Sequence, residues 1–285
     1  MNGKIRFAKM HGLGNDFVVI DAVRQNVLLD KKLARKIAHR HLGIGCDQIL
    51  LVEPPTKPDD DFFYRIFNSN GEEVAQCGNG ARCLGRFIHD DGLSQKKELT
   101  IGYAKGRMKV IVESHQVTAL LGPPSFEPKA IPIKALRQKQ GHRYAIKVNQ
   151  QMKEVSALTL GNPHCVIDVP SAREAKVAEI GKSLQNKNLF PQGVNVGFMQ
   201  ILARNHIQLR VYERGVGETF ACGTGACAAV ISGILNGALG QEVKVDMRGG
   251  HVFVSWPDQK GPVYLSGETT RVFNGIMVLK EAQVN

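Results

Sequence analysis

The stretch Ala75-Gln-Cys-Gly-Asn-Gly-Ala-Arg-Cys83 decides the fold, because the chain repeats it in altered form as Phe220-Ala-Cys-Gly-Thr-Gly-Ala-Cys227. Without a gap, Cys77 aligns with Cys222, and the two glycines and the alanine after each cysteine also match. Further upstream, Asn15 and its neighbours match Asn162 and its neighbours after a shift of two residues. Internal similarity over this length indicates a duplicated unit, so the sequence predicts two related domains.

A segment of helical length follows each cysteine. Apolar residues recur at three- and four-residue spacing at Leu84, Phe87 and Ile88, and Gly92 ends the pattern. The second segment, 226–235, is apolar almost all round, which predicts a buried helix. Each cysteine therefore lies at or just before a helix N-terminus, where unpaired amides and the positive end of the helix dipole favour a thiolate and can bind a carboxylate. We expect two thiol-bearing anion sites.

The composition is that of a globular protein large enough for two domains, with 285 residues, 43% hydrophobic and 22% charged. The formal charge is +11, but the basic residues are scattered among acidic ones and accompany no nucleic-acid-binding motif. We therefore expect no nucleic-acid partner, although such a surface would attract an anionic small molecule. The first residues contain no long apolar run, so we expect a cytoplasmic protein with no membrane partner.

Strand-like segments outnumber helical ones. Besides the two cysteine-bearing helices, the pattern predicts a helix from Asp30, as its N-cap, to His41, and another from Ser171 to Gln185. Four prolines between Gly122 and Pro132 mark the clearest boundary along the chain. We expect each half to wrap a sheet around its cysteine-bearing helix.

The cysteines number six, at positions 46, 77, 83, 165, 222 and 227. Their spacings in the two repeats differ from the C-x2-C pattern of zinc sites, so no metal site is expected. Structural disulfides are disfavoured in a chain without a secretion signal. Cys83 and Cys227 lie inside predicted helices, where a buried thiol packs as a small hydrophobe, and Cys46 and Cys165 receive the same interpretation.

Two functional interpretations of Cys77 and Cys222 compete. A hydrolase would use one of them as a nucleophile, with His164 as its base. A single nucleophile, however, needs no duplicate at a second helix end. Two equivalent thiols suit the removal of a proton from one face of a carbon and delivery of a proton to the other, because that reaction needs one thiolate and one thiol at a time. The residues alone thus favour proton abstraction next to a carboxylate.

Polar side chains occur at predicted turns and strand ends in both halves: Asn15, Gln48, Asn68, Asn162, Asn195, Glu213 and Arg214. Each alone is more often a turn former or a solvated residue. Asn15 and Asn162, however, recur at matching places relative to the two thiols, which favours a functional role. An arginine can bind a second carboxylate through two hydrogen bonds, and a glutamate can pair with an ammonium group.

At these residues the sequence closely resembles the diaminopimelate epimerases. The similarity runs nearly from end to end, through Lys9-Met-His-Gly-Leu-Gly-Asn-Asp-Phe17, Gly45-Cys-Asp-Gln48, Phe67-Asn68, Cys77-Gly-Asn-Gly-Ala-Arg-Cys83, Gly161-Asn-Pro-His164, Glu213-Arg-Gly-x-Gly-Glu-Thr219 and Ala221-Cys-Gly-Thr-Gly-Ala226. No motif position departs from the family pattern.

The resemblance implies an α/β fold of two pseudosymmetric domains, each a curled mixed β-sheet around a central helix. Residues 1–122 and 269–285 would form the domain that carries Cys77, and residues 123–268 the domain that carries Cys222. The implied reaction is the epimerisation of LL-2,6-diaminopimelate to meso-2,6-diaminopimelate, in lysine and peptidoglycan precursor biosynthesis, with no cofactor and no metal. Family members are commonly dimers, so a homodimer is expected. A proline or hydroxyproline racemase-type enzyme with the same two thiols is the alternative.

The resemblance also implies a role for each site residue. Cys77 and Cys222 would be the acid and base residues. The backbone amides of Gly78, Asn79, Gly223 and Thr224 would bind the carboxylate at the reacting carbon. The distal amino-acid centre would be recognised by Asn68, Asn162, Asn195 and Arg214, and the amino groups by Asn15, Gln48 and Glu213. His164 and Glu213 would also orient the thiols.

Overall fold

The computed structural model describes residues 3–74, 77–134, 137–148, 151–185 and 189–279. It divides into two compact units: unit 1 comprises Met1–Ala119 and Gly267–Asn285, and unit 2 comprises Leu120–Ser266. The boundaries expected from the sequence lie after residue 122 and before residue 269. These domain boundaries stay a prediction. Ala75 and Gln76, which open the first copy of the repeated motif, lie outside the described residues, as do the ends of the chain at 1–2 and 280–285.

Strands make up most of both units. The first half of the chain contains β1 (Gly3–Gly12), β2 (Asn15–Asp21), α1 (Lys31–Ala38), β3 (Gln48–Glu53), β4 (Phe62–Asn68), β5 (Glu73–Val74), α2 (Gly78–Asp90), β6 (Glu98–Tyr103), β7 (Gly106–Val112) and β8 (Val117–Leu121). The second half contains β9 (Arg137–Gln140), β10 (Arg143–Val148), β11 (Gln151–Thr159), β12 (Pro163–Asp168), α3 (Val177–Leu184), β13 (Asn195–Ala203), β14 (His206–Glu213), β15 (Gly217–Glu218), α4 (Gly223–Leu235), β16 (Glu242–Met247), β17 (Gly250–Ser255), β18 (Val263–Gly267) and β19 (Thr270–Leu279).

The same order of strand neighbours recurs in the two units. In unit 1, β2 pairs parallel with β3, β3 antiparallel with β4, β4 antiparallel with β5 and parallel with β6, and β6 antiparallel with β7. In unit 2, β12, β13, β14, β15, β16 and β17 repeat these pairings with the same directions. Unit 1 then gains β19, which pairs antiparallel with β1. The predicted α/β fold of two related mixed sheets is therefore confirmed.

Each sheet curls around one buried helix. In α2, which contacts β1, β2, β3 and β7, every residue from Gly78 to Gly85 is buried. In α4, every residue from Gly223 to Gly233 is buried, as its almost uniformly apolar sequence predicts. None of the helices among the described residues combines the length and apolar character that crossing a membrane requires.

Strand residues alternate between two cores in unit 1. Phe17 and Val19 of β2 belong to the cluster that surrounds α2, whereas Val18 and Ile20 belong to a second cluster, which includes residues of α1. Successive strand side chains point to opposite faces, so this alternation covers the sheet on both sides. The helix α2 therefore packs on one face of this sheet and α1 on the other.

Two helices are shorter than their sequence patterns predict. The first begins after Asp30, whose carboxylate accepts a hydrogen bond from the amide of Leu33 at 2.7 Å, so the predicted N-cap is confirmed, but the helix ends at Ala38. The predicted helix 171–185 begins only at Val177. The Arg210 guanidinium binds the carbonyl oxygens of residues 172, 173 and 175, and thus takes acceptors that an earlier helical turn would use.

Gly85 sets the distance between α2 and the strands beneath it. A Cβ atom at this position would lie 2.5 Å from Cγ1 of Val110. We expect Gly85→Ala to lower the free energy of unfolding by about 1–3 kcal/mol, because the core must shift to accept the methyl group. Gly122→Ala is the control, since no atom lies within 4 Å of the added methyl group. Urea denaturation of both variants measures the difference, and equal stabilities would contradict the prediction.

Candidate active site

The two repeated cysteines occupy the same structural position, as N-caps of the two buried helices. Cys77 precedes α2 and Cys222 precedes α4, both with an extended backbone, and neither side chain caps its helix. The first amides of a helix have no carbonyl partner one turn back, so they and the positive end of the dipole can bind an anion. Cys77 is half-buried and Cys222 is buried. The predicted placement of both thiols at helix N-termini is confirmed.

Strand ends carry polar candidate side chains of unit 1. Asn15 is the first residue of β2, and its Oδ1 accepts hydrogen bonds from Sγ of Cys77 at 3.7 Å and from Nδ2 of Asn79 at 3.4 Å. Gln48 begins β3 and lies opposite Asn68, the last residue of β4. The Gln48 Nε2 donates to Asn68 Oδ1 at 2.8 Å. All five candidate side chains of unit 1 thus lie in two hydrogen-bonded groups.

A buried guanidinium lies behind the first of these groups. Arg82 is fully buried, and its Nη2 donates to Oδ1 of Asn79 at 2.7 Å while Nη1 donates to the carbonyl of Glu268 at 3.2 Å. Arg82 belongs to the first cysteine motif, but no role was predicted for it from the sequence. The spacing of Asn79 and Arg82 could have indicated their contact, because residues three apart are neighbours on the surface of a helix.

In unit 2, four side chains form a row that begins with the thiol of Cys222. Sγ of Cys222 lies 3.7 Å from Oγ1 of Thr224, which accepts a hydrogen bond from Nδ2 of Asn162 at 3.3 Å. Oδ1 of Asn162 lies 3.1 Å from Nε2 of His164. His164 is therefore linked to Cys222 through two intervening side chains.

The remaining candidates lie on neighbouring strand ends of unit 2. Asn195 begins β13, in register with His164 of β12, and its Oδ1 accepts a hydrogen bond from the amide of Arg214 at 2.9 Å. The Arg214 guanidinium donates to the carbonyl of Gln192 at 3.1 Å. Glu213 ends β14, and its Oε1 accepts a hydrogen bond from the Thr219 hydroxyl at 2.6 Å. No role was predicted for Thr219 from the sequence. In the structure its hydroxyl fixes the direction of the Glu213 carboxylate.

His164 is electrically neutral at physiological pH. Burial, together with the nearby positive charge of Arg214, lowers the pKa of His164 to about 3. A neutral imidazole can donate one hydrogen bond, and donation from Nε2 to Asn162 matches the observed geometry. An imidazole that resists protonation so strongly cannot accept a proton from a thiol near neutral pH. This argues against the hydrolase in which His164 is the base.

The described residues contain no group of three or more His, Cys, Asp or Glu side chains arranged to hold a metal ion. Three other thiols, Cys46, Cys83 and Cys165, are buried in the core. Burial raises the pKa of Cys46, Cys83 and Cys165 to about 12. These three are therefore protonated at neutral pH and pack as small apolar side chains, as their sequence positions predict.

Burial of neutral His164 makes stability depend on pH. The pKa of His164 is about 3 in the folded protein, against an ordinary value of 6.5, so below pH 6.5 the unfolded chain binds a proton that the folded chain does not. We expect this residue to cost about 2 kcal/mol of the free energy of unfolding between pH 8 and pH 5. His164→Gln keeps a donor toward Asn162 but removes the titration, so its stability should fall less over this range.

Urea denaturation at pH 8 and pH 5 measures this effect as the difference between the two pH values for each variant. His251→Gln is the control, because His251 is an exposed residue of the same unit. Comparison of this variant with the parent shows the effect of removing an exposed imidazole. An identical pH dependence in the parent and in His164→Gln would contradict a buried neutral His164.

Comparison with known proteins agrees with the duplicated architecture. The family model described as diaminopimelate epimerase matches residues 7–127 and 156–272, which cover both thiol-bearing helices. A crystal structure of a hydroxyproline epimerase from Agrobacterium vitis, with bound trans-4-hydroxy-L-proline, is similar with a TM-score of 0.72 and 14% identity. That match covers 99% of this chain and 93% of the other.

A crystal structure of a Bacillus anthracis phenazine biosynthesis protein of the PhzF family is similar with a TM-score of 0.67 and 15% identity, over 97% of this chain and 100% of the other. A probable proline racemase from Agrobacterium radiobacter has a TM-score of 0.69 and 16% identity, over 98% of this chain and 94% of the other. At these identities the structural matches show a shared fold. The family model matches well over half of the sequence, including both cysteine motifs, and this chain belongs to the diaminopimelate epimerase family.

Proposed function

We propose that this protein converts LL-2,6-diaminopimelate to meso-2,6-diaminopimelate by cofactor-independent proton transfer between the substrate and two thiols. The observation that carries the proposal is the duplicated helix end, with Cys77 as N-cap of α2 and Cys222 as N-cap of α4 in units of the same strand order. The family to which the chain belongs supports diaminopimelate as the substrate. Lysine and peptidoglycan precursor formation is then the biosynthetic role.

The proposed reaction needs one thiolate and one thiol. The thiolate takes the α-proton of the substrate and becomes a thiol, and the electron pair of the broken C–H bond stays on the α-carbon. The second thiol then gives its proton to the opposite face of that carbon and becomes a thiolate. Atoms and charge balance, the configuration is inverted, and the protein is ready for the reverse conversion. Acid and base groups of this kind contribute about 10²- to 10⁴-fold each to a rate.

The helix ends suit the charge that develops during the reaction. Removal of the α-proton moves negative charge toward the neighbouring carboxylate, and amides at a helix N-terminus stabilise such charge. In the proposal, Gly78, Asn79, Gly223 and Thr224 supply these amides. Arg214 would bind the distal carboxylate, and the carboxylate of Glu213, held by the Thr219 hydroxyl, would pair with an ammonium group.

A proline or hydroxyproline racemase-type activity is the alternative. One structurally similar protein has trans-4-hydroxy-L-proline bound. Such a substrate has no distal amino-acid centre, and it would leave Arg214 and Asn195 without a ligand group to recognise. The hydrogen bond from the Arg214 amide to Asn195 holds these residues together at adjoining strand ends. A guanidinium at this place suits a second carboxylate, which diaminopimelate has and proline lacks. A homodimer, which rests on the family resemblance alone, and a cytoplasmic location complete the proposal.

Deuterium incorporation tests the reaction directly. The reduced protein is incubated with LL-diaminopimelate in D2O without added cofactor and followed by NMR. We expect one α-carbon to take up deuterium as the meso isomer forms, because each turnover replaces the abstracted proton with one derived from solvent. No exchange by folded, reduced protein would contradict the proposal, and exchange with proline instead would establish the alternative.

Substitution of the two thiols distinguishes catalysis from packing. Cys77→Ser and Cys222→Ser should each lower the rate of epimerisation by roughly 10²- to 10⁴-fold, since a hydroxyl is a much weaker acid than a thiol. Cys83→Ala and Cys227→Ala are the controls, because both thiols are buried in the same two helices. Equal losses in the control variants would mean that the cysteines matter for packing.

The glycine one helical turn after Cys222 leaves room for the thiol. A Cβ atom at Gly225 would lie 3.2 Å from Sγ of Cys222 and 3.2 Å from Cγ2 of Val211. We expect Gly225→Ala to lower kcat by roughly 10- to 100-fold, because the added methyl group displaces the sulfur from its reacting position. Its effect on stability should be small, since alanine favours the helix by about 1 kcal/mol over glycine.

Steady-state kinetics and urea denaturation of Gly225→Ala measure the two effects separately. Ser232→Ala is the control, because it is a similarly small change at a buried position of α4, two turns farther from the thiol. Normal kcat in a folded Gly225→Ala protein would show that the sulfur position tolerates the crowding.

A further inference from the structure

A row of directed hydrogen bonds runs past Cys77. Arg82 Nη2 donates to Asn79 Oδ1 at 2.7 Å, Asn79 Nδ2 donates to Asn15 Oδ1 at 3.4 Å, and Asn15 Nδ2 donates to Asp47 Oδ2 at 3.0 Å. The guanidinium at one end can only donate, and the carboxylate at the other end can only accept. Neither amide can therefore be turned round without placing two donors or two acceptors in contact. The carbonyl oxygen of Asn15 is thereby held toward Sγ of Cys77, at 3.7 Å.

Asp47 is itself fixed by charged groups on β1, at the start of β2 and in the segment between α1 and β3. Its Oδ1 accepts from Arg40 Nη2 at 2.8 Å, and its Oδ2 also accepts from the amide of Asp16 at 3.1 Å. In return, the Asp47 amide donates to Asp16 Oδ1 at 2.8 Å, and Asp16 pairs with Arg40 and with Lys9. The start of β2 and the segment before β3 are thus tied together next to Asn15.

The Asp16 carboxylate stays negatively charged at neutral pH. Hydrogen bonds from Arg40 and Lys9 hold the pKa of the Asp16 carboxyl well below its usual range, although burial opposes them. Asp47 and Arg40 are about half-exposed, at 45% and 55%. Exposed ion pairs contribute little to stability. The arrangement therefore suits a role in orientation better than a role in holding the fold together.

We propose that Asp47 is a positioning residue that sets the direction of the Asn15 amide and, through it, the orientation and proton affinity of Cys77. This proposal rests on the proposed function for its catalytic consequence, whereas its effect on the thiol needs no substrate. In the hydrogen bonds described above, Asp47 is connected to Cys77 through Asn15.

The direction of the Asn15 amide favours one form of the thiol. A carbonyl oxygen accepts the S–H of a thiol, but it repels the negative charge of a thiolate. With Asp47 in place, Cys77 is held as a proton donor aimed along a fixed direction. Without Asp47, the Asn15 side chain is no longer fixed, so the thiol loses its orientation and ionises more readily.

Four variants test whether Asp47 acts through Asn15. We expect Asp47→Ala to lower kcat about tenfold, the effect of losing one charge-assisted hydrogen bond, with KM changed by less than about threefold. In the Asn15→Ala background, the same Asp47→Ala substitution should lower kcat by less than about twofold, because the residue through which it acts is gone. Asp47→Asn keeps an acceptor for Asn15 and should restore most of kcat. Additive losses in the double variant would overturn the proposal.

Alkylation of the substrate-free protein gives a readout that does not depend on turnover. The rates of iodoacetamide labelling at Cys77 and Cys222 are measured by peptide mass spectrometry at pH 7.5. Asp47→Ala should raise the rate at Cys77 by roughly three- to tenfold, since the thiolate is the reactive form, and should leave Cys222 unchanged. Asp47→Asn should stay close to the parent. Equal rates for Asp47→Asn and Asp47→Ala would mean that only the lost charge matters, and would overturn the proposal.

Asp90→Ala is the matched control. Its carboxylate is 36% exposed, forms an ion pair with Arg86 at 3.8 Å and lies at the far end of the same helix that Cys77 caps. This variant should label both cysteines at the parent rates and retain the parent kcat. If the parent shows no turnover of diaminopimelate but the labelling pattern is as expected, the positioning role stands and the proposed function fails. A change at Cys222 as large as that at Cys77 would overturn the positioning role.

Discussion

The start of a buried helix is the constraint on which both halves of the molecule depend. A helix that begins inside a protein has amides without partners, and here a cysteine stands at that place with glycine-rich sequence after it. Gly225 keeps the next turn of α4 narrow enough for the sulfur of Cys222. The polar candidate residues of the site stand at the ends of the surrounding strands, as Asn15 does in β2 and Asn195 in β13. The chemistry at the thiols and the packing of the helix therefore share one set of residues.

Sequence reasoning went furthest where a local pattern and the tertiary fold agree. The repeated motif predicted two related sheets with a thiol at each helix N-terminus, because cap positions and apolar spacing are local properties. It overestimated the helix at 171–185, because the competing interaction comes from Arg210, a residue far along the chain. It also gave no role to Arg82, Asp47 or Thr219. Arg82 meets Asn79 on the same helix, so that contact was available from the sequence. Asp47 meets Asn15 on another element, and only the folded register brings these two together. The substrate itself came from the family resemblance and not from the pattern of residues.

The two thiol sites are related in architecture but differ in electrostatics. Behind Cys77 lies the permanent charge of Arg82, and the row that starts at Cys222 ends at the neutral imidazole of His164. Both groups are buried in the core, where a charge without hydrogen-bond partners is unfavourable. The two units avoid such a charge in different ways. In unit 1 the charge is retained and hydrogen-bonded to Asn79 and to a backbone carbonyl. In unit 2 the group is kept neutral.

Because of this difference, the two cysteine-bearing helices cannot replace each other. Where the first copy has Arg82, the second has the buried thiol of Cys227, and where the first has the amide of Asn79, the second has the hydroxyl of Thr224. A chimera that carried α2 in the place of α4 would bring a guanidinium into a core shaped around a thiol. Each helix is therefore specific to its own sheet, although the two sheets share one order of strands.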